Sequence, residues 1–203
     1  MNNYEYIISS LPVLSKDYRY AEGKDFEDVV GEIRRELSRS DDALVELLLE
    51  GLEGDNLTPE FYAKALSSSD RFIREFFHFD LKLRNAKVRH VNSALSRPED
   101  TDIVSLGKED LSEFEEAPIV AFTLSQPDIV SREEGLDRII WDKADSLSIF
   151  DYFDIDAVLA YILKLHIIDR WLTLDETKGR ELFRKLVDEV RGSFKGVEYN
   201  GNQ

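Results

Sequence analysis

Phe153–Val190, FDIDAVLAYILKLHIIDRWLTLDETKGRELFRKLVDEV, decides the architecture of this chain. Its first half carries Ile155, Val158, Leu159, Ile162, Leu163, Leu165, Ile167, Ile168, Trp171 and Leu172. On a helical period these side chains cover well over half of the surface, which leaves no face for water. Such a helix must lie among neighbours and is expected to be the central rod. In the second half, Leu182, Phe183, Leu186, Val187 and Val190 make one narrow stripe among charges, the pattern of a covering helix. The short link Thr173-Leu174-Asp175 predicts that the two run antiparallel as a helical hairpin.

Upstream, the same signals recur. Tyr4–Leu14 is a short apolar segment interrupted by Pro12, open to either helix or strand. Asp25 is placed to cap a helix that turns Phe26, Val29, Val30, Ile33 and Leu37 inward. Ser40 is expected to cap the next, through Glu53, with Gly54 as its stop. Thr58-Pro59 starts a short helix to Leu66, since proline suits the first helical position. Asp70–Ser96 holds neither glycine nor proline and predicts the longest helix, burying Phe72, Ile73, Phe76, Phe77, Leu81, Leu83, Val88 and Val91. Arg97-Pro98 closes it. Glu99–Pro118 has the character of a connection, with a short helix near Lys108–Phe114. Ile119–Leu124 is β-branched and apolar, but a lone strand would have nothing to pair with, so a short buried helix is expected. Ser131–Glu134 matches a capping box for a helix through Ser146, with Leu136, Ile139, Ile140 and Trp141 inward.

The fold class expected is therefore all-α: antiparallel helical hairpins packed in one bundle-like body. Residues 1–203 form a single domain in this reading, with halves 1–98 and 118–196 separated by the acidic connection 99–117. Phe79–Ala86 aligns with Phe153–Ala160 through a Phe-Asp-aliphatic trio, which would make the halves two related helical units.

The formal net charge is −16, with 42 acidic against 26 basic residues. Phosphate backbones are repelled by such a surface, so nucleic acid is not an expected partner. The charges are uneven. Asp70–Arg97 holds seven Lys/Arg and three Asp/Glu, whereas Pro98–Asp156 holds four and seventeen. One reading is a solvated acidic face beside a mixed helix; the other is a docking surface, because charge patterning orients encounters. No apolar run reaches the ~20 residues that span a bilayer. The N-terminus lacks an export pattern and there is no cysteine, so a cytoplasmic location is expected, peripheral at the inner membrane at most and through partners.

Chemistry is sparse. Glu22–Asp25 and Thr177–Gly179 lack the spacing of a phosphate loop. The three histidines, His78, His90 and His166, are too scattered for zinc, and His166 fits a core position better than a ligand. Asp151, Asp154 and Asp156 lack the glycine and terminal glutamate of a calcium loop. No serine sits in a nucleophile elbow. Neither catalytic residues nor a cofactor or metal is expected.

Three stretches carry a resemblance. Tyr6-Ile-Ile-Ser-Ser-Leu-Pro12, Phe79-Asp-Leu-Lys-Leu-Arg-Asn85 and Leu159-Ala-Tyr-Ile-Leu-Lys-Leu-His-Ile-Ile-Asp-Arg-Trp171 together resemble an uncharacterised bacterial family. Its members are encoded beside subunits of V-type (V/A-type) rotary ATP synthases. Asp80 and Asn85 in mid-helix are also similar to features of the C/d subunit, a helical funnel between the central stalk and the membrane ring. That subunit usually has three such units, whereas this chain has room for two. The resemblance implies a non-catalytic subunit or accessory protein, with V-type ATP synthase subunits as partners. Arg71, Arg74, Lys82, Arg84, Lys87 and Arg89 on the long helix are the candidate interaction surface, together with the exposed side of Thr177–Arg191. The alternative is a small-molecule-binding domain or enzyme with a pocket between the halves, for which Lys82, Arg84, His166 and Asp169 are the candidates.

Overall fold

Short polar side chains start most of the helices, because the first turn leaves backbone amides without intrahelical acceptors. The computed structural model describes residues 4–15, 18–106, 114–149 and 153–174. Every regular element among them is helical. In order they are α1 (Tyr4–Ser10), α2 (Phe26–Glu36), α3 (Arg39–Leu52), a 3-10 turn at Gly54–Asn56, α4 (Pro59–Leu66), α5 (Arg71–Ala94), α6 (Ala117–Leu124), α7 (Ile129–Ser148) and α8 (Ile155–Thr173). The all-α bundle class expected from the sequence is what the structure has.

Asp25 caps α2 in a reciprocal box: its carboxylate accepts from the Asp28 amide at 3.0 Å and the Asp28 carboxylate accepts from the Asp25 amide at 3.2 Å. Thr58 accepts from the Phe61 amide at 3.2 Å, with Pro59 at the first helical position. Two caps fall elsewhere than expected. Ser38, not Ser40, caps α3 by accepting from the Asp41 amide at 3.3 Å. Asp128, not Ser131, caps α7, because both the amide and the hydroxyl of Ser131 donate to the Asp128 carboxylate, at 2.7 and 2.9 Å. A carboxylate accepts more strongly than a hydroxyl at the positive end of a helix, which extends α7 by a turn.

The chain divides into two compact units inside α8, at His166/Ile167. In the first unit α8 is the rod that its composition predicts: Val158, Leu159, Ala160, Ile162, Leu163 and Leu165 are all buried. A second rod is α5, which buries Phe72, Ile73, Phe76, Phe77, Phe79, Leu81 and Leu83. Val91, expected inward, is 52% exposed, while Phe79 takes a core position. Gly51 lets α3 approach α5 closely. A Cβ there would lie 2.3 Å from the Phe77 ring and 2.5 Å from that of Phe61. The second unit begins with the last turns of α8, where Ile167 and Ile168 are buried and the Arg170 guanidinium lies 5.9 Å from the Trp171 ring centre. The covering helix expected around Leu182–Val190 and the short helix near Lys108–Phe114 lie outside the described residues, Phe114 excepted.

The Phe-Asp-aliphatic trio does not occupy equivalent places. Phe79 and Asp80 are buried in the middle of α5, whereas Phe153 is exposed and Asp154 caps α8 through the Ala157 amide at 3.2 Å. The trio therefore gives no structural duplication.

The acidic connection is fastened to α5. The helix ends at Leu95, and Ser96 adopts the left-handed conformation (φ 54°). The Arg97 amide bonds Asn92 O at 2.8 Å and the Ser96 amide bonds Ser93 O at 3.1 Å, a Schellman closure with serine where glycine is usual. The chain then turns back along α5. The buried Asn92 side chain donates to Glu99 O and Thr101 O. Two turns earlier on the same face, buried Asn85 donates to Val104 O at 2.7 Å and accepts from the Val104 amide at 3.0 Å.

Candidate functional site

The fold distributes the charges of the basic helix α5 widely around its axis. At ~100° per residue, Arg71, Lys82 and Arg89 lie within about 20° of one another on α5, Arg74 lies about 60° to one side, and Arg84 and Lys87 point more than about 120° away. Arg71, Arg84 and Arg89 meet carboxylates. Arg71 donates to Asp156 at 2.7 Å, Arg84 to Asp80 at 2.8 Å and Arg89 to Asp100 at 3.2 Å. Arg74 instead donates to the carbonyls of Ser68, Ser69 and Asp70 ahead of its own helix.

The Arg71 contact organises one end of the bundle. Besides Asp156 it donates to Leu147 O at 2.6 Å, in the last turn of α7, where carbonyls lack helical partners. One guanidinium thus joins the start of α5, the end of α7 and the start of α8. Burial raises the Asp156 carboxyl above the usual range, the Asp154 charge adds to it, and the Arg71 hydrogen bond opposes both.

In the core, Tyr62 on α4 donates to Asp80 Oδ2 at 2.7 Å, and Arg84 donates to the same oxygen. Burial pushes the Tyr62 phenol far above its usual range, and the charge and hydrogen bond of Asp80 push it further. Burial lowers the Arg84 value, but the charge and hydrogen bond of Asp80 outweigh this and leave it raised. A phenol held so firmly as a donor is a poor proton source, so the trio acts as a polar tie between α4 and α5. Sequence reasoning missed Tyr62, Asn85 and Asn92 as partners. The available signal was asparagine on the buried stripe of a helix, spaced seven apart, because such residues are weak helix formers and need a partner when buried.

The pocket candidates have other engagements. Arg84 belongs to the Asp80 tie, and the half-buried His166 ring stands edge-on to Phe26 at 5.7 Å. Lys82 and Asp169 are half-buried. Among the described residues no group of three or more His, Asp or Glu is placed to hold a metal ion, and no helix is long and apolar enough to cross a membrane.

An uncovered apolar surface lies elsewhere, on α6 and the start of α7. The α6 sequence APIVAFTL is apolar at every position but Thr123, the composition of a helix covered on every side. Only Val120, Thr123 and Leu124 are buried. Thr123 packs against α7 at Gly135, where a Cβ would stand 2.6 Å from the threonine methyl. The other side, with Pro118, Ile119, Ala121 and Phe122, faces outward, and Phe122 is 68% exposed. Ile129 and Val130, at the start of α7, are exposed too. The helix expected over Ile119–Leu124 is present, but it is buried on one side only. The chain around it is acidic: residues 114–138 contain Glu115, Glu116, Asp128, Glu133, Glu134 and the buried Asp137 against Arg132 and Arg138. Glu116 is taken by Lys143 at 2.8 Å, whose ammonium also lies 5.3 Å from the Phe79 ring centre. Large apolar side chains left exposed next to charged ones are how a protein contact is commonly marked.

Residues 52–193, more than half of the chain, match the model of a family described as "Protein of unknown function (DUF2764)". No curated protein and no solved structure matches the chain.

Proposed function

We propose that this chain, which belongs to the DUF2764 family, is a non-catalytic subunit or accessory protein of a V-type ATP synthase, acting as a helical adapter in the manner of the C/d subunit. Two things support the reading. One is the resemblance carried by Tyr6–Pro12, Phe79–Asn85 and Leu159–Trp171. The other, which carries it, is the uncovered face of α6, a helix apolar at every position but Thr123, with Ile119 and Phe122 exposed and with Ile129 and Val130 exposed at the start of the next helix. The acidic residues around it fit a partner surface that is apolar at its centre and basic at its rim, since such complementarity sets orientation and rate. In this role the protein works in the cytoplasm, at the membrane only through its partners.

Co-purification with a tagged catalytic subunit of the V-type enzyme, at low salt, tests the proposal. The wild-type chain is expected in the complex. Phe122→Asp with Ile129→Asp should abolish its recovery without loss of helicity, because both side chains are already exposed. Recovery of the ATP synthase without this protein, or undiminished recovery of the double variant, would overturn it.

A further inference from the structure

Helices α7 and α8 run antiparallel, and each turns a stripe toward a groove of about 540 Å3. On α8 the stripe is Ala157, Ala160, Tyr161 and Lys164; on α7 it is Trp141, Asp145 and Ser148, with Ile149 just past its end. Both sets have the three-, four- and seven-residue spacing of one helical face. Leu11–Leu14, which follow α1, form the third wall. The volume falls within the ~300–1,000 Å3 of small-molecule sites and well exceeds what a single side chain needs.

The groove is polarised along its length. At one end the small side chains Ala157 and Ala160 leave the floor open, beside the exposed Ile149. At the other stands Lys164, only 15% exposed, with its ammonium 5.2 Å from the Trp141 ring centre and paired to Asp145. Residue 157 to residue 164 spans about 10 Å of helix. Lys164 is the hydrogen-bond donor at this end, and Tyr161, whose hydroxyl is buried, lines the wall beside it. Asp145, the acceptor that Lys164 now has, is 55% exposed at the rim, where water can take it over. A group that accepts without donating can replace Asp145 on Lys164, and apart from Ser148 the remainder is apolar over a length of two helical turns.

We propose that this groove binds a small amphipathic carboxylate, its apolar body over Ala157 and Ala160 and its carboxylate on the Lys164 ammonium in place of Asp145. A carboxylate accepts from the Lys164 ammonium and needs no donor in return. A cationic head would meet Lys164, and a neutral head would leave the ammonium to Asp145. The site is independent of the α6 face, so either can fail alone.

The test uses Trp141 emission in the full chain carrying Trp171→Phe, which leaves one tryptophan, titrated with octanoate, octan-1-ol and octylamine. Octanoate should give a saturable change and bind at least about tenfold more tightly than octylamine, the ratio expected when one charge-assisted pair is exchanged for a repulsive one. Lys164→Met should weaken octanoate about tenfold and leave octan-1-ol unchanged. Ala160→Leu should block both, and Ala157→Met serves the same purpose if the leucine is not tolerated. Absence of saturable octanoate binding, equal affinity for octylamine, octanoate affinity unchanged in Lys164→Met, or binding undiminished in a folded groove-filling variant would each overturn the proposal.

Discussion

Tyr62 and Asp80, eighteen residues apart, meet inside the core with the tyrosine hydroxyl donating to the carboxylate at 2.7 Å. Arg84 donates to the same oxygen from the rim, one helical turn along α5, with nearly half of its side chain in water. The two donors are unequal. Tyr62→Phe removes one neutral bond but keeps the ion pair, and should cost about 1–2 kcal/mol. Arg84→Met leaves a buried carboxylate with only a phenol and should cost more, about 2–4 kcal/mol. Urea unfolding midpoints measure both, and the double variant should deviate from additivity by about 0.5–3 kcal/mol, since the donors share one acceptor.

Asn85 binds Val104 as a strand would, one bond in each direction. Asn85→Asp keeps the acceptor, loses the donor and leaves Val104 O facing a negative charge. A loss of about 2–3 kcal/mol is expected, comparable to an unsatisfied buried polar group. Hydrogen exchange at the Val104 amide should accelerate more than exchange in the middle of α8. Equal acceleration everywhere would mean that the connection is not held by this side chain.

Ser96 offers a gain. Its left-handed backbone (φ 54°) suits glycine, and non-glycine residues there are disfavoured by roughly 1–2 kcal/mol. Ser96→Gly should raise stability by about 1 kcal/mol or less once the added freedom of the unfolded chain is subtracted. Thermal unfolding reads it directly.

Two glycines are fixed by their neighbours. Gly51→Ala puts a methyl 2.3 Å from the Phe77 ring, so an overpacking cost of about 1–3 kcal/mol should outweigh the helix-propensity gain of about 1 kcal/mol. Gly135→Ala meets the Thr123 methyl at 2.6 Å. Thr123→Ser removes that methyl, so the pair should be less destabilised than the sum of the single changes. Additive losses would show that α6 and α7 do not meet there.

Two aspartates should respond to acid with opposite sign. The Arg34 hydrogen bond holds the Asp42 carboxyl below its ordinary 3.8, with burial opposing it. Its contribution is present above that value and is lost as pH falls through the depressed folded value, so the wild type and Asp42→Asn should converge in strong acid. Asp156 is raised above 3.8, chiefly by burial. Its charge is less welcome in the folded state, so this contribution is largest in acid and is lost as pH rises through the raised folded value. Wild type should therefore gain on Asp156→Asn as pH is lowered from neutral toward about 4. Chemical unfolding across that range measures both trends.

Much of this could be read from one line of residues. The width of the apolar stripe over Ile155–Leu172 predicted a buried rod, and the absence of glycine and proline from Asp70–Ser96 predicted the longest helix. Both follow from local periodicity, and both are present. Caps were legible where a single acceptor stood before the helix, as at Asp25 and Thr58, and misplaced where two competed, as with Asp128 and Ser131. The basic residues of α5 were visible as a cluster in sequence but are spread around the helix in space. Their partners, Asp156 and the Leu147 carbonyl for Arg71 and Asp100 for Arg89, come from other segments.

Composition and period settled the class of fold, because burying an apolar stripe is a local requirement that any neighbour can meet. Which neighbour meets it is a matter of three-dimensional packing. That Val91 and Phe122 stay in contact with water while Phe79 and Asp80 do not, and that Lys164 comes to rest over Trp141 at the end of a groove, depends on contacts between residues far apart in the chain. Hydrophobic burial has no direction of its own, so the pattern of residues names the helices, and the meeting of their side chains assigns each face its role.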